Sequence, residues 1–470
     1  MTAAALASVS WGVLVLGAVY PWAYWPLLWG TLITGLLGLR RHIGRQPALE
    51  HPLSLSLMAL CVATLLQLVP LSPAVMRTVS PGTQDFIETY LQLPDDALAA
   101  ATDGALATAS ATTWRPLSLR PRATVTALLF TLALGLMVIG GGVGMRTTDA
   151  RRLTLGLLVL GAVVASLAVA QRATHNGRIY WFWEPQDANT AWGPFVNRNH
   201  FAGWMVMAIS AGLGYFMALS NRAMRRIDGW RNRVLWLSTR EASAVVLAGL
   251  ALGIMGFSLA LTASRSGAGC LLASMLVVVT ATLGRRRTLT IPRQRRMVMV
   301  GYIACLAFVT VISTGVPLIE NRFTYSSTST PFSFGWRIRH WSDALEVVRH
   351  FPVTGTGLNT YTVVTPFFQS IDTPTSDEAH NDYLQLAAEG GLLVGIPAMI
   401  LVGLFIREVR RRFLAGGRSP TSYWLRVGAV AGLIGIALQE SVDFSLQLPG
   451  NAVMFAALCA VAVHKPDESE

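Results

Sequence analysis

Residues 374–396 read TPTSDEAHNDYLQLAAEGGLLVG and pass from polar to strongly apolar sequence within a few positions. Apolar stretches of the length needed to cross a lipid bilayer recur along the whole chain. The chain is 53% hydrophobic and 13% charged, and soluble domains carry about twice that charged fraction. The sequence therefore predicts an all-α, polytopic integral membrane protein.

We predict about twelve transmembrane helices and a helical cap on the outer side of the membrane. The predicted spans are residues 4–20, 22–39, 53–72, 123–144, 153–170, 201–219, 242–262, 266–283, 298–315, 389–406, 424–440 and 449–464. The chain then divides into N-terminal helices with a first outer loop, central helices with outer loop 171–200, a long outer loop, and C-terminal helices. These four regions are residues 1–122, 123–315, 316–388 and 389–470.

Basic residues fix the predicted orientation. Loops on one side of the membrane carry 24 of the 37 basic residues, so this side is expected to be cytoplasmic, with both termini on it. The remaining arginines lie mostly in outer loops, where the positive-inside rule does not explain them. The chain has one lysine, Lys465, and no GKS or GKT phosphate loop, which excludes ATP-driven transport by this chain alone. In such a membrane protein the net charge of +12 does not indicate nucleic acid.

Arg265 lies in the turn TASRSGAG, residues 262–269, between two apolar segments. The small residues around it allow a ligand or another backbone segment to come close. Two interpretations remain open. Arg265 either extends to the lipid headgroups as an anchor or belongs to an anion-binding site near the membrane surface.

Residues 335–361, GWRIRHWSDALEVVRHFPVTGTGLNTY, predict a helix followed by a tight turn at two glycines. The expected apolar side contains Trp336, Ile338, Trp341, Leu345 and Val348. Two arginines, Arg337 and Arg339, fall in the expected first turn. A cation is unfavourable at a helix N-terminus unless an anion is also bound there. The alternative is a solvated amphipathic face.

A third polar cluster lies in residues 192–204, WGPFVNRNHFAGW. Arg198, Asn199 and His200 are packed between aromatic residues at the start of a predicted span. Sugar-binding surfaces often combine residues in this way, so these three side chains are candidate glycan or acceptor contacts. The alternative is an aromatic belt at the membrane interface with polar neighbours.

The stretch 374–396 contains a T-x-x-E capping box formed by Thr375 and Glu378. We therefore expect a helix from about Ser376 to Gly390–Gly391, with His380 just past its first turn. The positive end of the helix would disfavour the imidazolium form.

A neutral imidazole can accept a proton near pH 7, so His380 is a candidate general base. Asp377 and Asp382 are candidate orienting partners. The alternative is a purely structural histidine.

Taken in order, these motifs resemble the O-antigen ligase family, which includes related O-antigen polymerases and pilin-type oligosaccharyltransferases. The resemblance covers roughly residues 190–405. It is carried by the SRSG turn of Arg265, the R-x-x-x-W pattern from Arg337 to Trp341, the HFPVTGTG turn, and a His-x10-Gly pattern at His380 and Gly391. The segment GPFVNRNHFAG also fits ligase-like members. The resemblance implies a fold like that of the lipid-donor "C" class of glycosyltransferases.

The resemblance also implies a function. The donor would be a glycan on undecaprenyl pyrophosphate, and the acceptor hydroxyl would belong to lipid A–core oligosaccharide or another glycan. Arg265 and Arg337 would hold the pyrophosphate, with Arg339 as the alternative to Arg337. Trp341 would be a further glycan or acceptor contact. His380 would take the acceptor proton in a single inverting displacement, with residues 316–388 as the catalytic loop facing the periplasm of a bacterial inner membrane.

No metal or other cofactor is expected, because the outer loops lack a D-x-D stretch and arginines can stabilise a leaving diphosphate. Three members of the same family remain open: a ligase, a polymerase that extends a lipid-linked glycan, and a pilin-type enzyme. Outside the family, a transporter of lipid-linked sugar would place ionisable residues near the middle of its spans. The central parts of most predicted spans are nearly free of them.

Overall fold

The computed structural model describes residues 1–41, 52–91, 114–174, 176–185, 190–223, 231, 235, 238–284, 334–370, 377–415 and 419–466. Within these residues the regular elements are helices, apart from one two-stranded antiparallel ladder that pairs Pro70–Leu71 with Arg115–Pro116. Each predicted span that falls among the described residues overlaps a helix. The predicted span 298–315 lies outside them.

The α-helices follow one another along the chain with short connections in several places. In chain order they are α1 (Thr2–Leu14), α2 (Pro21–Arg40), α3 (Pro52–Leu66), α4 (Pro73–Val79), α5 (Pro81–Phe86), α6 (Pro121–Gly144), α7 (Thr147–Ala173), α8 (Arg198–Ala223), α9 (Arg240–Leu261), α10 (Arg265–Gly284), α11 (Phe334–His350), α12 (Tyr361–Phe368), α13 (Asp382–Ala415), α14 (Pro420–Gln439) and α15 (Pro449–Val463). Short 3-10 turns at Leu16–Ala18 and Ser445–Gln447 and a π-turn at Ile87–Leu91 complete the described helical elements.

Seven of the described helices are long and apolar enough to cross a membrane: α6, α7, α8, α9, α10, α13 and α14. Helices α1, α3 and α15 are apolar but shorter. A helix needs about 20 residues to span the hydrocarbon layer without help from tilt or bilayer thinning. The lengths and composition together indicate a polytopic membrane protein.

The chain divides into two compact units, and each contains part of the predicted site. Unit 1 comprises Met1–Ala48, Ala133–Ser327 and Arg407–Glu470. Unit 2 comprises Leu49–Leu132 and Thr328–Ile406.

In unit 1, helix α8 is the most deeply enclosed of the membrane-length helices, with α7, α9, α10, α14 and α15 packed around it. Glycines make its contact with α14 close. A Cβ atom at Gly214 would lie 2.6 Å from the carbonyl oxygen of Trp424, and one at Gly428 would lie 2.6 Å from that of Ser210. Small residues allow helix backbones to approach in this way, and larger ones would force the two helices apart.

In unit 2, the core is formed by apolar side chains from α5, α11, α12 and the start of α13. Phe86 and Phe351 pack edge to face with their ring centroids 6.1 Å apart, and Val347 and Val364 are buried beside them. This core fixes α11 and the beginning of α13, the two elements that carry the unit 2 part of the predicted site.

Helix α11 occupies Phe334–His350, at the start of the segment 335–361 in which a helix was predicted, but its buried side differs from the predicted one. Ile338 is 49% exposed and Leu345 is 44% exposed, so the predicted apolar side is wrong at both positions. The buried positions include His340, Asp343, Ala344 and Val347. The sequence pattern failed here because two of these buried residues are polar.

Helix α12 was not predicted at all. Its sequence, YTVVTPFF, is rich in β-branched and aromatic residues, which favour strands over helices. The carboxylate of Glu389, distant in sequence, stabilises the helix by accepting hydrogen bonds from the N–H groups at its start.

Candidate functional site

His380 lies in a non-helical turn immediately before α13, which starts at Asp382. The predicted helix start at about Ser376 is wrong, since residues 377–381 are not helical. The actual cap is Asn381, whose Oδ1 accepts hydrogen bonds from the N–H groups of Tyr383 and Leu384, each at 3.1 Å. Of the predicted capping box, Thr375 lies outside the described residues and Glu378 precedes the helix.

The backbone of His380 has a φ of 50°, in the left-handed region. This conformation costs a residue with a side chain about 1–2 kcal/mol, so the surrounding structure must enforce it. The Nε1–H of Trp341 donates a hydrogen bond to the carbonyl oxygen of His380 at 3.4 Å. The indole of Trp336 packs edge to face against the His380 ring, with centroids 5.2 Å apart, and His340 packs against the same indole at 3.8 Å. Helix α11 thus supplies three side chains beside the His380 turn.

Burial, the nearby guanidinium of Arg337 and the nearby ring of His340 together lower the pKa of His380 to about 3. Each of these influences disfavours the charged imidazolium. The predicted neutral imidazole is therefore supported, but the main cause is burial rather than a place inside a helix. A pKa this low leaves the ring uncharged near neutral pH and makes it a weak base unless its surroundings change.

The two arginines of α11 differ in their surroundings. Arg337 is half-buried and acts electrostatically on His380, whereas Arg339 is exposed in the second turn of the helix. Arg339 was predicted to lie in the first turn, and that placement is wrong because α11 begins at Phe334. Of the two, Arg337 is the one that the structure brings next to the imidazole.

Gly391 interrupts α13, as the predicted helix stop near Gly390–Gly391 indicated. Its φ is 54°, and a Cβ atom there would lie 2.5 Å from the backbone nitrogen of Gly355. The HFPVTGTG segment fills the interruption. Leu392 N–H donates to the Pro352 carbonyl at 3.0 Å, and Gly357 N–H donates to the Glu389 carbonyl at 2.9 Å. The glycine of the His-x10-Gly pattern is therefore the point where this segment docks onto α13.

Two polar residues between His380 and Gly391 escaped the sequence analysis. Gln385 is 5% exposed and Glu389 is 6% exposed. Glu378, two residues before the histidine, hydrogen-bonds to Gln385 at 2.6 Å. Burial, with the neighbouring carboxylates of Glu389, Asp382 and Asp377, raises the pKa of Glu378 to about 8, despite the opposing effect of the Gln385 bond. The sequence signal that could have identified Gln385 and Glu389 is their spacing of four positions in an otherwise apolar helix.

In unit 1, Arg265 is the first residue of α10 and is exposed. Ser264 caps this helix, with its Oγ accepting a hydrogen bond from the N–H of Gly267 at 3.3 Å. The same hydroxyl donates to Oδ1 of Asn199 at 2.9 Å. Arg265 therefore extends from a helix N-terminus whose position is tied to α8.

Arg198 has a similar position, as the exposed first residue of α8. Asn197 accepts a hydrogen bond from the N–H of Asn199 at 2.8 Å and so caps the helix. Each helix N-terminus carries a partial positive charge, and the Ser264–Asn199 hydrogen bond holds the two N-termini together. Such an arrangement suits an anion.

His200 and Asn199 are held inside unit 1 rather than presented on its surface. His200 is 3% exposed, its Nε2 lies 3.8 Å from Oδ1 of Asp443, and its ring packs edge to face on Phe444 at 4.6 Å. Gln439 Nε2 donates to the carbonyl oxygen of Asn199 at 2.9 Å. These contacts indicate a structural task for both residues, while their predicted contact with a glycan stays a prediction.

The O-antigen ligase family model matches residues 248–399. The predicted resemblance to the O-antigen ligase family is confirmed over this segment. The matched O-antigen ligase segment covers about a third of the chain and contains Arg265, α11, the His380 turn and Gly391. It supports a membrane glycosyltransferase of the O-antigen ligase or polymerase type in broad terms, and therefore an enzyme. No curated protein matches the chain.

Proposed function

We propose that this chain transfers a glycan from undecaprenyl pyrophosphate to an acceptor hydroxyl, with lipid A–core oligosaccharide as the acceptor. The observation that carries this proposal is that, within unit 2, the Arg337 guanidinium lies close enough to the half-buried, uncharged imidazole of His380 to act on it electrostatically. The guanidinium can bind a phosphate and the imidazole can accept a hydroxyl proton, and a glycan transfer of this kind requires both.

The leaving group in this reaction is a lipid diphosphate. A diphosphate is a weak base, so stabilising its developing negative charge matters more than protonating it. The planar guanidinium of Arg337 can donate two parallel hydrogen bonds to phosphate oxygens and keeps its charge near lipid.

His380 acts on the acceptor. As the acceptor oxygen attacks the anomeric carbon of the donor sugar, the hydroxyl proton passes to the imidazole. A carbon–oxygen bond forms to the acceptor, the bond from that carbon to the diphosphate oxygen breaks, and its electron pair leaves with the diphosphate. A single displacement inverts the anomeric carbon.

Donor binding should also make His380 a better base. Burial is the main cause of the low pKa of His380, and the charge of Arg337 lowers that pKa further. A diphosphate bound at Arg337 would offset that charge and raise the proton affinity of the imidazole. Proton transfer would then become favourable only when the leaving group is in place.

The remaining predicted site residues keep narrower proposed roles. Arg265 supplies a second guanidinium to the pyrophosphate, on the strength of the SRSG motif and its exposed place at a helix start. Arg198, exposed at the start of α8, is a glycan or acceptor contact. Trp341 acts through the carbonyl of His380, to which it already donates a hydrogen bond.

The membrane arrangement is part of the same proposal. We propose twelve spans, both termini in the cytoplasm, and the residue 316–388 loop as a cap on the periplasmic side of a bacterial inner membrane. The bias of basic residues supports this orientation.

The test uses the purified protein with a glycan on undecaprenyl pyrophosphate and lipid A–core as the offered acceptor. His380→Ala should lower the rate of transfer by about 100- to 10,000-fold, the range that general bases contribute. Arg349→Ala is the control, since that exposed residue of α11 makes a surface pair with Glu346 at 2.9 Å. It should keep the rate within about twofold of wild type, because a surface pair contributes little.

The product identifies the reaction. Glycan on lipid A–core supports the ligase. Longer lipid-linked glycan made without that acceptor indicates a polymerase, and glycan on a pilin serine or threonine indicates a pilin-type enzyme. Full activity in His380→Ala would refute the proposed base.

A further inference from the structure

The amide side chain of Gln385 binds both residues that precede His380 in its turn. Its Oε1 accepts a hydrogen bond from the backbone N–H of Ala379 at 2.9 Å. Its Nε2 donates to Glu378 at 2.6 Å and to Glu389 at 3.3 Å. The two residues that precede His380 are therefore both bound to one side chain from the first turn of α13.

Gln385 is in turn held by Glu389, which is itself immobilised. The Glu389 carboxylate accepts hydrogen bonds from the N–H groups of Asn359 at 2.7 Å, Thr360 at 3.1 Å and Tyr361 at 3.0 Å. These N–H groups lie at the start of α12, where a helix has no internal acceptors for them. Since the carboxylate satisfies three donors at once, it ties α13 to α12.

We infer that Gln385 is a positioning residue for His380, acting through the backbone of Ala379 in the reaction proposed above. The connection runs from α12 through the Glu389 carboxylate to the Gln385 amide, and from there to the residue adjacent to His380. The left-handed backbone of His380 needs such support, because an unsupported residue would relax to a more favourable φ.

Only an amide of this length serves both ends of the connection. The Gln385 oxygen accepts from Ala379 while its nitrogen donates to two carboxyl groups, and among side chains of this length only the amide offers two donors beside an acceptor. A carboxylate in its place would lack the donors, and a methionine would lack both functions. The requirement is for this hydrogen-bonding pattern, not merely for a side chain that fills the space.

The main test compares Gln385→Met with wild type in the full-length protein. Methionine keeps the length and volume but removes the three hydrogen bonds. A misplacement of about 1 Å can lower a rate by about 100-fold, so we expect kcat to fall by about 10- to 100-fold. KM for the lipid-linked donor should stay within about twofold, because the Gln385 amide acts on the backbone beside His380, the proposed base for the acceptor.

A second measurement does not depend on activity. Diethyl pyrocarbonate modifies accessible neutral imidazoles, and mass spectrometry reports the rate at His380. Release of the turn should expose the ring, so modification should be several-fold faster in Gln385→Met than in wild type. An unchanged kcat, or a loss of kcat with unchanged modification of His380, would overturn the positioning role.

Gln84→Met is the matched control. Gln84 donates a hydrogen bond of the same kind to Glu88 at 2.7 Å, also four residues ahead in a helical segment of unit 2, but this hydrogen bond is exposed. Both kcat and the modification rate should match wild type. If Gln84→Met lowered kcat as much as Gln385→Met, the effect would not be specific to the His380 turn and the inference would fail.

An exchange variant covers the case in which Gln385→Met does not fold. Gln385→Glu removes the donors, whereas Glu378→Gln combined with Gln385→Glu restores a donor–acceptor pair with its direction reversed. Glu at position 385 still offers an oxygen to the Ala379 N–H. We expect the double variant to be at least about fivefold faster than Gln385→Glu alone, and equal rates would contradict the inference.

Failure of the proposed function gives a different result from failure of the inference. If wild type transfers no glycan under any condition, the proposed function fails. The modification of His380 in wild type and in Gln385→Met still tests whether Gln385 holds the turn.

Discussion

The Arg265 turn in unit 1 and the His380 turn in unit 2 both place a functional candidate at the start of a helix, but by different means. Arg265 is an exposed first helical residue, and a single hydroxyl cap from Ser264 suffices for its helix. His380 is largely enclosed, has a left-handed backbone, and follows two residues that Gln385 binds.

The chemistry of the two side chains explains this difference. A guanidinium keeps its charge in nearly any environment, so it can remain exposed at a helix N-terminus and still attract an anion. The proton affinity of an imidazole depends on its surroundings, and a base must also point at one particular atom. The Arg265 turn therefore needs little more than one capping hydrogen bond, whereas the His380 turn is held by several contacts.

Among variants that keep the His380 side chain, the largest expected effect comes from the charge beside the imidazole. Arg337→Gln should lower kcat by about 100- to 1,000-fold, comparable to the loss of one strong donor from a site that stabilises a leaving group. Arg339→Gln, two positions along the same helix and exposed, should stay within about threefold of wild type. The rate of glycan transfer at saturating donor measures kcat for both variants. An equal loss of kcat in the two would contradict the assignment of Arg337 rather than Arg339 to the site.

The next largest effect concerns the support of the His380 region. Gly391→Ala should destabilise the protein by about 2 kcal/mol or more, because it combines a left-handed φ with a Cβ 2.5 Å from the Gly355 nitrogen. Gly395→Ala, in the same helix, meets nothing within 4 Å and should be neutral or slightly stabilising. Thermal unfolding in detergent compares the two variants. If both variants unfold at the wild-type temperature, the docking of HFPVTGTG on α13 contributes little to the stability of the protein.

The smallest expected effect is in the Arg265 region. Arg265→Lys retains the charge but loses the planar fork, so KM for the lipid-linked donor should rise about tenfold with little change in kcat. Arg240→Lys is a close control, because Arg240 is also an exposed first helical residue behind a hydroxyl cap, here Thr239. We predict Arg240 to lie on the cytoplasmic side, where the substitution should not affect donor KM. An unchanged KM in Arg265→Lys would argue against a bidentate contact to the pyrophosphate.

The helices of the membrane-length segments could be predicted from the sequence because length and hydropathy are local properties. The break at Gly391 and the turn at Gly355 and Gly357 were also predictable, since glycines after a helical stretch indicate such breaks, and all three have positive φ. The O-antigen ligase motifs were likewise readable from the sequence, and the family match includes them apart from the GPFVNRNHFAG segment.

The parts that failed depend on residues far apart in the chain. Thr375 and Glu378 form a good local capping box, yet Glu378 binds Gln385 instead and Asn381 caps the helix. Helix α12 has a poor local sequence and is completed by Glu389, 28 residues after Tyr361. The neutral state of His380 was predicted for a helix-dipole reason, whereas burial and Arg337 cause it. No local pattern contains these contacts.

The central claim is that burial, reinforced by the Arg337 charge, keeps His380 uncharged, and that a bound lipid diphosphate raises the proton affinity of its imidazole. Titration of the His380 imidazole by NMR between pH 4.5 and pH 8, with and without undecaprenyl pyrophosphate, tests it most directly. A pKa lowered to about 3 means that the empty protein should show a neutral ring over this whole range. With the diphosphate bound, we expect protonation to move upward into the range. A ring that titrates near 6.5 without the lipid, or one whose titration the lipid leaves unchanged, would contradict the account.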